Sequence, residues 1–245
     1  MEKFYIFIMG LTLKNKVVVI TGGSSGLGKA AAGYFAKIGA KVEICSNDKK
    51  TLINACDYTL VDVTIQDNVH SFVKKVLAKH KKIDILINCA GWIFKPKAIE
   101  DVSNEEYDRC FDTNTKSIFL FSRAVLPIMK RQKSGMVINI TSTAGIRANP
   151  FFAIYSASKF AVRGLTQAIG KSLAGSDISY LSVAPAGMNT PMRQKLFGAK
   201  DAKIQQDPQA VAKIIADIAL KKIKVPNGGE VVVRDGKISA INKPE

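Results

Sequence analysis

Short apolar runs alternate along the chain with longer stretches whose apolar positions recur at helical spacing. Val17-Val18-Val19-Ile20 is a β-branched run ended by Thr21-Gly22-Gly23, and it reads as a buried strand. The Ala-rich stretch from Leu27 to Ile38 reads as a helix closed by Gly39. A second strand is predicted over Val42 to Cys45 and a third at Leu60-Val61, followed by a helix from Val69 to Ala78. Ile83 to Ile87 gives a fourth strand. Ser103-Asn104-Glu105-Glu106 fits a capping box that opens a long helix towards Met129, with Pro127 ending or bending its last turn. A fifth strand over Met136 to Ile140, a helix from Tyr155 to Ala174 and a sixth strand over Ile178 to Val183 follow. Asp207-Pro208 is an N-cap with proline at the first helical position, opening a helix to about Leu220. Glu230 to Val233 reads as the last strand.

Strands alternating with helices indicate a parallel sheet, because parallel strands need long crossovers. The strands are apolar throughout rather than alternating in and out, so both faces of the sheet are covered. The right-handed crossover rule then gives an α/β class: a single doubly wound parallel sheet with helices on both faces. Ligands of such a fold bind beyond the carboxyl ends of the strands.

The segment from Thr21 to Gly28 joins the first predicted strand to the first helix, with Gly22, Gly26 and Gly28 spaced T-G-x-x-x-G-x-G. Glycine lets the chain turn sharply and lets a pyrophosphate approach bare backbone. The helix that follows aims free N–H groups and its positive dipole end at the phosphates. A glycine cluster between a strand and a helix, at the start of the fold, therefore reads as a dinucleotide site built from Gly22, Ser24, Ser25, Gly26, Leu27 and Gly28.

Composition narrows the rest. With 47% hydrophobic and 23% charged residues the chain is typical of a soluble globular protein. Cys45, Cys56, Cys89 and Cys110 are far apart, form no CxxC pair and lack a histidine cluster. They read as reduced, intracellular thiols with no metal site. The net charge of +16 could attract nucleic acid, an anionic membrane or phosphorylated ligands, but no compact basic motif of nucleic-acid type occurs. It reads first as a solvated surface. The apolar start of the chain is too short to span a bilayer and lacks a signal-peptide cleavage site. Met9 opens a stretch that reads like a natural start, so residues 1–10 are expected to be an extension outside the core.

With the glycine loop, three further segments occur in order: Asn88-Cys89-Ala90-Gly91 after the fourth strand, Ser142 after the fifth, and Tyr155-Ser-Ala-Ser-Lys159 at the head of the next helix. In this order the chain, from about Leu11 to Val233, resembles the short-chain dehydrogenase/reductase family. The resemblance implies a single NAD(P)-binding Rossmann domain over residues 11–245 and a catalytic set of Asn114, Ser142, Tyr155 and Lys159. The chemistry agrees with those residue types. A phenol near pKa 10 is a poor base at neutral pH. Lys159 lies four residues after Tyr155 on the same helix face, and its charge is expected to lower the phenol's pKa. Ser142 is expected to hydrogen-bond the substrate oxygen and stabilise developing charge. By resemblance, Lys159 also holds the nicotinamide ribose, and Asn114 anchors a water that relays protons to Lys159.

The resemblance assigns further cofactor contacts. Asn88, Ala90 and Gly91 would line the adenosine side, with Cys89 where the family usually has a second asparagine. Asp62 and Val63 would cover adenine, although Asp62 also suits a helix-capping turn. Pro185, Met188 and Thr190 lie in the segment that receives the nicotinamide carboxamide, with Ala186 in place of the usual glycine. An NAD enzyme carries an acid at the end of its second strand. Here that position is Ser46, followed by Asn47, which points to NADP(H) as the preferred cofactor with NAD(H) possible; Asp48 falls two residues late.

Trp92, Phe94, Arg147, Phe152 and Met192 are the candidate substrate contacts, with Ile146, Phe151, Met188 and Phe197 nearby. A mostly apolar lining with one cation suits a hydrophobic carbonyl or alcohol. Asn189 to Ile204 is expected to form a mobile lid. The function that follows is alcohol–ketone interconversion on a general alcohol, hydroxy acid or small-molecule carbonyl. The first alternative is reduction of 3-oxoacyl groups on acyl carrier protein, whose acidity a basic surface would suit. An alternative of another class is a non-catalytic dinucleotide-sensing or RNA-binding module. Outward apolar residues such as Phe119, Phe160 and Leu165 suggest, by resemblance, a homodimer or homotetramer. The expected setting is cytoplasmic, with no nucleic-acid or membrane partner.

Overall fold

The computed structural model describes residues 12–48 and 56–244. The expected extension over residues 1–10 lies outside them. One sheet runs through the molecule: β1 (Val17–Thr21), β2 (Lys41–Ser46), β3 (Cys56–Leu60), β4 (Ile85–Asn88), β5 (Gly135–Ile140), β6 (Ile178–Pro185), β7 (Glu230–Arg234) and β8 (Lys237–Asn242). Their order in space is β3-β2-β1-β4-β5-β6-β7-β8, and every neighbouring pair but the last is parallel. The helices are α1 (Gly26–Lys37), α2 (Gln66–His80), α3 (Asn104–Phe111), α4 (Ser117–Gln132), α5 (Ala153–Ser172), α6 (Pro191–Lys203) and α7 (Pro208–Ala219). This is the expected doubly wound α/β arrangement.

Each face of the sheet buries its own apolar layer. On one, Val18, Ile20 and Ile44 meet Ala31 and Phe35 of α1 and Val211 and Ile215 of α7. On the other, Val19, Leu86 and Val137 meet Phe72 and Val76 of α2 and Phe121 and Val125 of α4. Fully burying each such side chain contributes roughly 1.5–3 kcal/mol. The strand order reverses between β1 and β4, and that reversal opens a crevice at their carboxyl ends.

Four local expectations need correction. The third strand ends, rather than starts, at Leu60. It borders the sheet on its outer side, and only the step from Leu60 to Val61 is apolar enough to register as a run. The long helix from Ser103 keeps its capping box but is broken by a π turn over Asp112–Lys116. Pro127 neither ends nor closes α4, which continues to Gln132. Burial of Val125, Ile128 and Met129 outweighs a lost helical bond worth roughly 3 kcal/mol. β7 is not last: Asp235-Gly236, both at positive φ (49° and 69°), turn the chain into antiparallel β8. The segment expected as a lid contains α6, capped by Thr190 and started by Pro191.

Candidate active site

A cleft of about 810 Å³ lies over the carboxyl ends of the strands. Its floor is the turn between β1 and α1. Gly22 has φ +67°, and a Cβ on Gly28 would come within 2.2 Å of the Gly22 carbonyl oxygen, so the turn closes only with bare backbone there. Ser25 is the N-cap of α1 but makes no side-chain cap bond, and no acid occupies the first turn. The first amides of α1 are thus left for an anion. Thr21 Oγ1 accepts from both Cys89 N and Ala90 N at 3.0 Å, tying the glycine turn to the segment after β4.

Most of the expected cofactor residues line this cleft together: Gly22, Ser24 to Gly28, Ser46, Asn47, Asp62, Val63, Ala90, Gly91, Tyr155, Lys159, Met188 and Thr190. Thr190 stands across from Gly26, and its hydroxyl accepts from Arg193 N at 3.3 Å as the cap of α6. Asp62 Oδ1 accepts from both Thr64 N and Thr64 Oγ1 in a turn ahead of α2, whose N-cap is Ile65 without a side-chain cap bond, and the residue faces the cleft. Asn88 and Pro185 do not line it. Asn88 is buried and donates from Nδ2 to Asn139 Oδ1 at 2.8 Å, and Pro185 is the buried end of β6.

The residues of the expected catalytic set meet at one edge of the cleft. Ser142 follows β5 and sets its hydroxyl near the Tyr155 phenol, from a position just behind the lining. Its Oγ accepts from Ala144 N at 3.1 Å, which fixes the hydroxyl. Lys159, one turn along α5 from Tyr155, is buried; its Nζ donates to Ile140 O at 2.9 Å and lies 5.8 Å from the Tyr155 ring centroid. Asn114 sits fully buried in the π turn, an element that commonly marks functional positions in helices.

The electrostatics reverse one expectation. Tyr155 is not lowered but pushed up to about 12, chiefly because burial disfavours the phenolate; the nearby Ser142 hydroxyl pulls it back in part. Lys159 is itself held down to about 8 by burial. Its amine donates to the Ile140 carbonyl, and burial of the phenol outweighs the effect of that charge.

The comparisons with known proteins agree with this geometry. The family model described as short chain dehydrogenase matches residues 16–201. The chain belongs to the short-chain dehydrogenase family. A 3-oxoacyl-[acyl-carrier-protein] reductase of Thermotoga maritima is 32% identical, over 92% of this chain and 98% of its own. A cyclopentanol dehydrogenase of Comamonas is also 32% identical, over 91% of this chain and 97% of its own. The crystal structure of 3-ketoacyl-(acyl-carrier-protein) reductase from Brucella melitensis complexed with NADH superposes with a TM-score of 0.85 at 30% identity, covering 92% of this chain and 99% of that one.

Members of the short-chain dehydrogenase family are oxidoreductases that use NAD(H) or NADP(H) on alcohol and carbonyl groups of small molecules, and the bare glycine turn, uncapped α1 and long cleft fit such a cofactor. Among the expected substrate residues, Trp92 and Met192 line the cleft. Phe94 and Phe152 are buried and serve packing: Phe94 against Trp92, Phe152 against Phe197, each at 5.8 Å between ring centroids. Arg147 is exposed and outside the lining. Besides Lys159, a second cation does face the cleft: Arg109, whose guanidinium lies 4.7 Å from the Trp92 ring centroid. Sequence reasoning missed it because it sits on α3 among acidic residues. It also missed Ser158, inside the Tyr155–Lys159 segment, whose Oγ accepts from Asn114 Nδ2 at 3.0 Å and donates to Tyr155 O at 2.7 Å. Among the described residues no helix is long and apolar enough to cross a membrane.

Proposed function

We propose that this chain interconverts an alcohol and a ketone by hydride transfer, with Tyr155 as acid and base and NADP(H) as the preferred cofactor. The observation that carries the reading is the Ser142 hydroxyl brought near the Tyr155 phenol at the edge of a dinucleotide-sized cleft, one helical turn from Lys159. Bound there, the nicotinamide would supply or accept the hydride. The chain's own part is to hold and to move a proton. The glycine turn and the first amides of α1 would hold the pyrophosphate, Asp62 and Val63 the adenine side, and Lys159 and Thr190 the nicotinamide side. Ser142 Oγ would hold the substrate oxygen. A phenol held near 12 stays protonated at neutral pH, which is the form that donates to a carbonyl oxygen. For alcohol oxidation it must lose that proton, and a reoriented Lys159 ammonium is the group able to favour the phenolate.

NADP(H) is favoured because β2 ends on a hydroxyl, not a carboxylate. Ser46 Oγ lies 2.7 Å from Ser24 Oγ, a neutral pair beside the ribose position. NAD(H) remains a possible cofactor, since Asp48 also lines the cleft. The substrate class is a general alcohol, hydroxy acid or small carbonyl compound, received against Trp92 and Met192. A 3-oxoacyl thioester on acyl carrier protein is the second reading, supported by the two reductase relatives and by the net charge of +16. The convergence of Asn114, Ser142, Tyr155 and Lys159 weighs against a non-catalytic sensor or RNA-binding module. A homodimer or homotetramer is supported by exposed Phe119 and Phe160 beside an apolar groove between α4 and α5. A cytoplasmic setting without nucleic-acid or membrane partners completes the reading.

The test is oxidation of NADPH and NADH against ketones, 3-oxoacyl thioesters and oxo acids. Tyr155→Phe is expected to lose at least about a hundredfold in kcat while still binding cofactor. Full turnover by Tyr155→Phe sinks the mechanism. No turnover by the parent protein, with salt-sensitive RNA binding, turns the assignment to the binding module.

A further inference from the structure

Tyr155, Lys159 and Arg163 follow one another at single-turn spacing along one stripe of α5. Arg163 reaches the sheet, where its Nε lies 3.1 Å from Oε2 of Glu230. Glu230 is the first residue of β7 and only 3% exposed. Its second oxygen, Oε1, accepts from Thr141 Oγ1 at 2.8 Å and from Ser182 Oγ at 3.2 Å. Thr141 is the residue before Ser142. One buried carboxylate therefore connects the helix that carries Tyr155 and Lys159 to the end of the strand that carries Ser142.

We propose that Glu230 is a positioning residue for the reaction, setting Ser142 against Tyr155 through Thr141 on one side and Arg163 on the other. This rests on the assignment of Ser142 and Tyr155 made above. Two features of the site favour a positioning role over packing. A buried carboxylate is costly, and burial pushes Glu230 above the usual carboxylate range, so an apolar residue would serve a packing role better. The Arg163 contact is also a charge pair without hydrogen-bond geometry: both Arg163 Nε and Glu230 Oε2 lack a hydrogen-bond partner. Charge holds the helix at a set distance there, while the two hydroxyl bonds fix the strand ends. A second polar link runs parallel to it, from Thr166 on α5 to Asn139 on β5 at 2.9 Å, while the Thr141 hydroxyl is shared between Glu230 and the Val183 carbonyl of β6 at 3.1 Å. Glu230 touches neither cleft nor cofactor side, so its loss should alter turnover rather than cofactor binding.

The experiment compares Glu230→Gln, Arg163→Met, Arg163→Lys, Thr141→Val and the double variant Arg163→Met/Glu230→Gln. Each is measured for kcat with NADPH and the best carbonyl found, for the Kd of NADPH, and for amide hydrogen exchange over residues 141–146. A misplacement of about 1 Å costs up to a hundredfold. Glu230→Gln, Arg163→Met and Thr141→Val are expected to lose about tenfold or more in kcat with unchanged Kd, and to exchange faster over 141–146. Arg163→Lys is expected to recover most of the loss, and the double variant to be no slower than its slower parent, because both changes break one link. Folded Arg163→Met with parental kcat and parental exchange overturns the proposal, as does a loss of kcat matched by an equal loss of NADPH affinity. Should Glu230→Gln fail to fold, the variants at partly exposed Arg163 decide. Should the parent protein reduce no carbonyl, the reading of the reaction falls, and the exchange measurement alone then upholds or overturns the link.

Discussion

The side-chain amide of Asn114 pairs with both backbone groups of Trp92: Oδ1 accepts from Trp92 N at 2.7 Å, and Nδ2 donates to Trp92 O at 2.9 Å. The π turn and the loop after β4 are thereby locked as firmly as two neighbouring strands. Both hydrogens of the amide are used, on Trp92 O and on Ser158 Oγ, while Oδ1 keeps a second acceptor position.

Asn114→Leu leaves both Trp92 groups unpaired in a partly buried loop, at a cost of about 1–3 kcal/mol for each group that stays dry. Thermal unfolding is expected several degrees earlier. Trp92 is the only tryptophan in the chain, so its emission reports this loop directly and is expected to shift red. An unchanged melting temperature and spectrum would show that the pairing is dispensable.

Lys159 is expected to cost stability at neutral pH. Its folded-state value of about 8 lies below the ordinary 10.5, so the folded protein binds fewer protons than the unfolded chain between those limits. Stability should therefore rise as pH increases from about 8 towards 10.5. Below that window the burial penalty is present in full. Lys159→Met is expected to be more stable than the parent by about 2 kcal/mol at pH 7, with the gain shrinking as pH rises, and to have lost turnover. Urea unfolding across that range reads it; a variant less stable at every pH contradicts the burial argument.

Ser46→Asp tests the cofactor assignment. A carboxylate there would face the 2′-phosphate of the proposed NADP(H), and like charges brought together in a cleft repel. The variant should lose at least about tenfold in kcat/KM for NADPH, or about 1.4 kcal/mol, with NADH kept or improved. A parent enzyme that already prefers NADH would instead assign the ribose contact to Asp48.

The alternation of elements was readable because buried parallel strands need unbroken apolar runs and their crossovers need helices. β3 and β8 were misread or missed for the opposite reason: they border the sheet or are paired on its outer side, so only part of each is apolar. For β8 a local signal did exist, the Asp235-Gly236 pair between Val233 and Ile238. The π turn carries no pattern of its own and forms where Asn114 meets the Trp92 backbone. Among substrate candidates, residue type alone could not separate Phe94 and Phe152, which pack inward, from Trp92 and Met192, which face the cleft.

What the order of residues determined by itself is the kind of fold, the glycine turn and the one-turn spacing of Tyr155 and Lys159, because these depend on backbone periodicity and on steric rules acting within a few residues. What only the tertiary structure decided is the state of the groups: a phenol pushed up rather than down, an Asn114 amide tied to the Trp92 backbone, a carboxylate at Glu230 joining helix to strand. Those properties come from burial and from partners far apart in the chain, and neither exists until the sheet has closed over them.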